Sequence, residues 1–566
     1  MQAHDSTAGK DTESAVAETF VAGTDVASPA PFSAAAPTEG LASATNAWSP
    51  LRQRLFRGLW LASIASNIGT WMQDAGAAWL MTTLAPSPTW VAAVQVATTL
   101  PILAFALPAG ALADVVDRRR LLIGAEIWML VMAGLLGVTT LLGRTTPESL
   151  LALTLALGLG SAFAMPAWAA LMPELVPRPQ LKPAITLNAL SMNLSRAVGP
   201  ALAGFLIAET GTGPVFLLNA ASFLGILAVL LRWQRPPRDS SLPAERLFGA
   251  MRAGIRYARH SPALLRVIVR VGTFFTFGSA AWALMPLLVR LEWKGGPTAY
   301  GCVLAAMGGG AILAVFGLPR LRRLLSDDWL VGLASLLYAG MLGLLALVPG
   351  LVPGLAVAAG AGAAWLSVMT TLQGAAQVAL PAWVRARGLS LAMVAMMGGM
   401  AGGSLLWGQV ASHSSLHDAL IIAGIGLAVA TLVTLPLRVG GFEKHDLTPS
   451  LHWSSPLSEP DVEHDRGPVL ITLAYRVKPD RCEEFRRLMK ALRKSRRRDG
   501  AYYWQLFRDT AHPDWYLETF LVESWVEHLR QHERVTVADQ RLQDRVQDCL
   551  HERAEPRVSH WIAETG

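Results

Sequence analysis

Two charged residues stand inside stretches otherwise apolar enough to lie in lipid: Asp74, beside Gln73 in TWMQDAGAAWLM, and Arg196, near Asn193 in LSMNLSRAVGP. An ionisable side chain in hydrocarbon is costly, and by default it marks an ion or substrate path. A carboxyl there can gain or lose a proton as its surroundings change. A guanidinium can hold that carboxylate or meet an anionic group on a substrate. Both roles stay open for Arg196, as does a static ion pair between the two. A second pattern is LPAGALADVVDRRRLL, where Gly110, Asp114 and Arg118 are spaced four apart and Arg119 follows. On a helix these share one face, with a small residue for close approach and opposite charges one turn apart. Such a stretch is how a short, charged, cytoplasmic turn between two membrane helices looks. Gly199, Pro200 and Gly204 form a third pattern, small residues that let helices pack closely.

Other chemistries find no support. No Gly-x-x-x-x-Gly-Lys-Ser/Thr loop occurs, so nucleotide hydrolysis is not expected to supply energy. Cys302, Cys482 and Cys549 are far apart and show no metal spacing. A net charge of +7 fits cytoplasmic arginines on a membrane protein, and no nucleic-acid motif accompanies it. No cofactor is expected. Asn67, Gln95, Asn188, Gln373 and Gln377 either line a cavity or bond helix to helix, and Glu126 is expected to reach the cytoplasmic interface.

The elements that must position these groups follow from hydropathy. With 52% hydrophobic and 16% charged residues, the chain is too apolar for an ordinary soluble globule. About twenty apolar residues cross a bilayer. Twelve stretches qualify, near 57–81, 88–112, 121–142, 148–171, 184–207, 214–232, 266–289, 298–318, 329–348, 353–377, 386–411 and 417–437, of which the fifth and eleventh are the least hydrophobic. Lys and Arg collect in alternate loops, including Arg178 and Lys182 after the fourth stretch, which puts both termini in the cytoplasm. The predicted organisation is a tail over 1–50, a six-helix half over 51–232, a linker over 233–265, a second half over 266–439, a polar linker over 440–466 and a soluble domain over 467–566. Residues 1–50 lack a basic start followed by an apolar core and read as a disordered tail. In the middle linker, Leu247, Phe248, Met251 and Ile255 recur at helical spacing opposite Arg246, Arg252, Arg256 and Arg259. This predicts a helix on the inner membrane surface.

From Pro468 the pattern turns soluble, in the order βαββαβ of a ferredoxin-like domain, with one helix over about 524–550. His512, His528, His532, Trp504 and Trp515 are its candidate groups. His528 and His532 have metal-like spacing, but without a third ligand a solvated helix face is the favoured reading. Arg493, Lys494, Arg496, Arg497 and Arg498 either face anionic lipid or complement the end of their helix.

Taken together, SNIGTWMQDAGAAWLMT, LPAGALADVVDRRRLL, ELVPRPQLKPAITLNAL and LPAWVRARGLSL resemble the major facilitator superfamily, and within it the branch called transmembrane secretion effector, MFS_3, related to the enterobactin exporter. The resemblance implies an all-α membrane protein with twelve transmembrane helices in two six-helix halves. It implies multi-pass insertion in the cytoplasmic (inner) membrane and alternating access. The partners it implies are a small-molecule substrate, the bilayer, and a proton or other ion. In that family the segment around Gly110, Asp114, Arg118 and Arg119 latches the halves on the cytoplasmic side. Here Val115 and Asp117 stand where a basic residue and a glycine are usual, the fourth span lacks an arginine, and Ser195 and Ala203 replace glycines in the fifth. The C-terminal domain resembles small dimeric α/β-barrel domains, including antibiotic-biosynthesis monooxygenases, which implies a homodimer. The leading expectation is an exporter of a small organic molecule. The alternative is a membrane-tethered enzyme whose C-terminal domain is monooxygenase-like.

Overall fold

The computed structural model describes residues 48–233, 247–381, 383–441, 446–448, 450, 452–453, 466–551 and 556–564. The expected tail lies outside the described residues up to position 47, as does most of the 440–466 linker. The first half comprises α1 (Arg54–Leu84), α2 (Pro88–Val115), α3 (Arg118–Leu141), α4 (Pro147–Leu175), α5 (Leu181–Thr210) and α6 (Thr212–Arg232). Then come α7 (Leu247–His260) and the second half: α8 (Pro262–Leu287, continued by a π turn over Leu288–Glu292), α9 (Pro297–Leu324), α10 (Asp327–Leu347), α11 (Leu351–Val378), α12 (Arg385–His413) and α13 (Leu416–Thr434). Each expected span falls on one of these helices.

The helix starts follow from local chemistry. Pro88, Pro147, Pro262 and Pro297 open their helices where the missing N–H has no intrahelical partner to lose. Asp117 is the N-cap of α3, its Oδ1 accepting from the Arg120 N–H at 3.0 Å.

Eleven helices of the described residues are long and apolar enough to cross a membrane. The one that falls short is α1, where Asn67, Gln73 and Asp74 interrupt the apolar run; it is held by protein on several sides instead. Gly69 lies against Asn219 and Gly76 against Phe216 on α6. The fifth span has the lowest hydropathy of the eleven, 1.2, but the eleventh, at 1.6, lies above the seventh, at 1.5, so the sequence reading ranked the fifth correctly, misplaced the eleventh and passed over the first.

The halves meet chiefly through α2 against α12 and α5 against α9. At α5–α9 a Cβ on Gly204 would sit 2.9 Å from the Gly301 Cα, and one on Gly308 2.7 Å from the Ala197 Cα. Every described hydrogen bond between the halves lies at the end remote from α7. Arg290 donates to the Thr82 and Thr83 hydroxyls at 2.9 and 2.7 Å, Thr89 bonds Ser412 at 2.8 Å, and the Thr298 hydroxyl reaches the Gly204 carbonyl at 3.5 Å.

The C-terminal domain has β1 (Val469–Arg476), α14 (Cys482–Asp499), β2 (Tyr503–Arg508), β3 (Trp515–Val522), α15 (Trp525–Arg534), α16 (Val537–Gln547) and β4 (Arg557–Ile562). Its antiparallel sheet has the order β2-β3-β1-β4, a ferredoxin-like arrangement. Val469, Ile471, Leu473 and Tyr475 alternate inward onto Phe485, Leu488 and Leu492 of α14, as the period-two pattern predicts. The second helix is not continuous. It breaks at Val535–Thr536, where Thr536 and Asp539 form a capping box while Asp539 also accepts from Ser495 and Arg498, each at 2.6 Å. A tertiary ion pair sets that break.

The helix expected on the membrane surface is present as α7, but its basic side is not left to lipid. Arg252 pairs with Glu523 at 3.0 Å and Arg256 with Glu527 at 2.8 Å, both on the C-terminal domain. Its opposite side packs on the second half: Tyr257 is buried and its hydroxyl donates to the Ala379 carbonyl at 3.3 Å. Ile255 and Arg259 are exposed. Arg246 lies outside the described residues, as do the side chains of Leu247, Phe248 and Met251.

Candidate transport site between the two halves

Arg196 and Asp74 stand on adjacent helices of the first half but make no ion pair. The Arg196 guanidinium lies over the Trp71 indole, 5.2 Å from the ring centroid, and its Nε is buried with no hydrogen-bond partner. A cation over an aromatic face is attracted by the ring quadrupole, which accounts for its turning to Trp71 instead of the carboxylate. Gly199, one turn along α5, makes room for this: a Cβ there would lie 2.7 Å from the Trp71 Cβ. Asp74 sits about one turn further along α1, in electrostatic reach of Tyr300, whose ring stacks on Trp79 at 5.8 Å. It has no hydrogen bond or ion pair among the described residues.

The second half completes the site. Trp71 meets Trp282 of α8 at 6.2 Å, and Trp282 meets Trp365 of α11 at 5.7 Å. Trp71, Arg196, Pro200, Trp282, Met307 and Trp365 line a cavity of about 10 Å³, room for one water. Sequence reading missed Trp282 and Trp365. Two tryptophans deep in apolar spans were a signal, but interfacial belts use the same residue type.

The neighbours predicted for the site are elsewhere. Gln73 is buried and its amide oxygen accepts from Asn219 of α6 at 3.4 Å. Asn193 donates to the Ala189 carbonyl of its own helix at 2.9 Å. Asn67 reaches the Ser191 hydroxyl at 3.5 Å, tying α1 to α5, and Gln95 bonds Thr98 at 3.3 Å within α2. Asn188 is half-buried, and Gln373 and Gln377 are exposed. Glu126 does not reach an interface. It is 2% exposed, beside Trp168, at a level of α3 where Leu122, Ala125 and Met129 are buried in the core of the first half.

At the expected gate, Arg118 binds Glu174 at the end of α4 at 2.8 Å, and Arg119 caps α6 by donating to the Leu230 and Leu231 carbonyls at 2.7 and 3.0 Å. These contacts stay within one half. The Asp114 side chain lies outside the described residues, as do those of Arg178 and Lys182. Among the described residues, a Cβ on Gly110 would meet nothing within 4 Å.

The C-terminal candidates do not converge. His512 is exposed near Asp509, Trp515 is exposed on the open sheet face, and Trp504 is buried, donating to Glu518 at 2.8 Å. His528 is 2% exposed, and so not on a solvated helix face. It packs against His532 and His560 at 4.9 and 4.7 Å between ring centroids. Among the described residues no group of three or more His, Cys, Asp or Glu stands in metal-holding geometry. The basic run divides: Arg493 and Lys494 are exposed, whereas Arg496 is buried against Glu518 and Arg498 pairs with Asp499 and Asp539. Burial would disfavour such charges without these partners.

Two six-helix halves joined at a central layer, with a site drawn from both, define a major facilitator superfamily transporter. The chain belongs to the transmembrane secretion effector family, whose pattern matches residues 45–566. It is a multi-pass membrane transporter rather than an enzyme, and its substrate is a small molecule. It is similar to the Staphyloferrin A transporter of Staphylococcus aureus (strain NCTC 8325 / PS 47), 24% identical over 278 residues, 48% of this chain and 68% of that one. It is also similar to the multidrug efflux pump Tap of Mycolicibacterium fortuitum, 24% identical over 392 residues, 66% of this chain and 93% of that one. Among solved structures, a bacterial homologue of the human lysosomal transporter Spinster in an inward-facing, unoccupied conformation shares the fold, with TM-score 0.51 and 16% identity over 70% of this chain and 96% of that one. The nucleoside transporter NupG shares it with TM-score 0.57 and 11% identity over 68% and 99%.

Proposed function

We propose that this protein is a secondary active exporter of a small organic molecule, inserted in the cytoplasmic membrane with both termini inside and working by alternating access. The observation that carries the reading is a site drawn from both halves, with Arg196 and Trp71 of the first meeting Trp282 and Trp365 of the second around one cavity. Among the described residues, the Arg290 and Thr89 hydrogen bonds join the halves at the end remote from α7. A central site between two halves that rock supports alternating access. When the halves rock, the α2–α12 side closes on Gly110 and the Arg290 contacts release. Asp74 accepts and releases the coupling proton, being a carboxyl with no fixed partner at the junction of the halves. The open outer sheet face of the C-terminal domain, with Tyr503, Phe507, Leu517 and Trp561 exposed, supports homodimerisation through that domain.

The test is substrate-dependent proton flux into proteoliposomes carrying an imposed pH gradient, read by an internal pH dye over a panel of organic solutes. The wild type is expected to show flux that Asp74→Asn abolishes while keeping its unfolding temperature. Undiminished flux in that variant would remove Asp74 from the coupling mechanism.

A further inference from the structure

We infer that the surfaces lining the cavity between the halves, which in this conformation leave room for one water, recognise an organic anion with a flat, apolar body when the halves part; the inference rests on the transporter reading and names its substrate class. Two donors at this cavity have no acceptor among the described residues: the Arg196 Nε and the Trp282 Nε1 are both buried without a protein hydrogen-bond partner. Guanidinium and indole N–H groups are donors only. A buried donor left unmade costs roughly 1–3 kcal/mol, more when charged. No acidic side chain lines the cavity to satisfy them. The complement is an acceptor-rich anionic group, of which carboxylate suits a guanidinium fork best.

The walls specify the rest of the ligand. Trp71, Trp282 and Trp365 follow one another at 6.2 and 5.7 Å, and Leu304 and Met307 of α9 line the same cavity. Indoles take flat rings by stacking, and methionine adapts to irregular apolar shapes. Both halves supply donors and walls, Arg196 and Trp71 from the first and Trp282 and Trp365 from the second. The ligand therefore bridges the surfaces that move apart, and its charge is held at the pivot. Asp74, about one turn beyond on α1, stays outside the cavity lining and free for a proton.

The experiment is calorimetric titration of the full-length protein in nanodiscs with 2-naphthoate and with its uncharged counterpart 2-naphthamide. The acid is expected to bind at least about tenfold tighter than the amide, as a site built around a missing acceptor discriminates. Arg196→Gln should remove that preference, and Trp282→Phe, which keeps the ring and deletes the N–H, should weaken the acid by about two- to tenfold. Equal binding of acid and amide, no binding of the acid, or undiminished acid binding by Arg196→Gln overturns the proposal. Should Arg196→Gln not fold, undiminished binding by Trp282→Phe overturns it instead. Acid-selective binding in a protein that moves no solute across a vesicle membrane supports the site and refutes the transporter reading. Ethidium export unaffected by Arg196→Gln, with no binding of the acid, refutes the site and leaves transport standing.

Discussion

His528 shows what a residue's surroundings do to its chemistry. Burial, with His560 and His532 beside it, pushes its pKa down to about 3, and burial with His560 and Arg496 pushes that of His532 down to about 4. Above pH 6.5, the ordinary value, both are neutral folded or unfolded and pH has no effect through them. Below it the unfolded imidazoles take up protons that the folded ones refuse, so stability falls as pH drops from about 6.5 towards 3 to 4. The slope reaches up to about 1.4 kcal/mol per unit for each group. Hydrogen-exchange protection factors of the C-terminal domain in the full-length protein, corrected for the intrinsic rate at each pH, should report this loss, and His528→Phe should flatten it; protection that does not change across that window would contradict the cluster's neutrality.

Among the elements, α5 and α2 present glycines with opposite surroundings. Gly204→Val places a Cβ 2.6 Å from the Pro297 carbonyl oxygen, and overpacking of this kind costs about 1–3 kcal/mol. A lower unfolding temperature is expected. Gly110→Ala meets nothing in this conformation and gains about 0.5–1 kcal/mol of helix propensity. Its unfolding temperature should hold or rise while transport falls, because the clash arises only when the α2–α12 side closes. Normal transport by Gly110→Ala would mean that no such closure on Gly110 occurs.

At the scale of the whole molecule, the C-terminal domain rides on the second half. Glu527 is shared between Arg256 of α7 at 2.8 Å and Arg534 of its own domain at 2.6 Å, and the Arg534 guanidinium lies 4.5 Å from the centre of Trp383, just before α12. The three side chains are only 14, 12 and 5% exposed for Arg256, Glu527 and Arg534. Glu527→Gln leaves two arginines facing each other without the carboxylate, a change of the kind that costs about 3–5 kcal/mol. Limited proteolysis should then release the domain from the membrane part faster than from the wild type. At the opposite end, Arg290→Ala deletes the bonds to Thr82 and Thr83 and the contact over Trp79 at 5.8 Å. That should shift the population outward, raising thiol labelling of a cysteine placed at Thr298.

The linear pattern determined the twelve helices, the two halves and the ferredoxin-like domain, because burial in lipid or in a core demands apolar runs of fixed length and period. It also marked Arg196 and Asp74, since a charge in an apolar run is visible without coordinates. It took α1 for an ordinary apolar span although polar residues, sheltered by α5 and α6, interrupt it, and it placed Glu126 at an interface where the fold encloses it. Only the tertiary structure decided that Arg196 turns to Trp71 and not to Asp74, and that Trp282 and Trp365 from the other half face it. The same holds for Arg496 and Arg498, a charged surface in the sequence and a buried ion-pair network in the fold. Pairings of this sort depend on which helices cross and how closely. Those distances come from packing between residues far apart in the chain, and hydropathy along the chain carries no record of them.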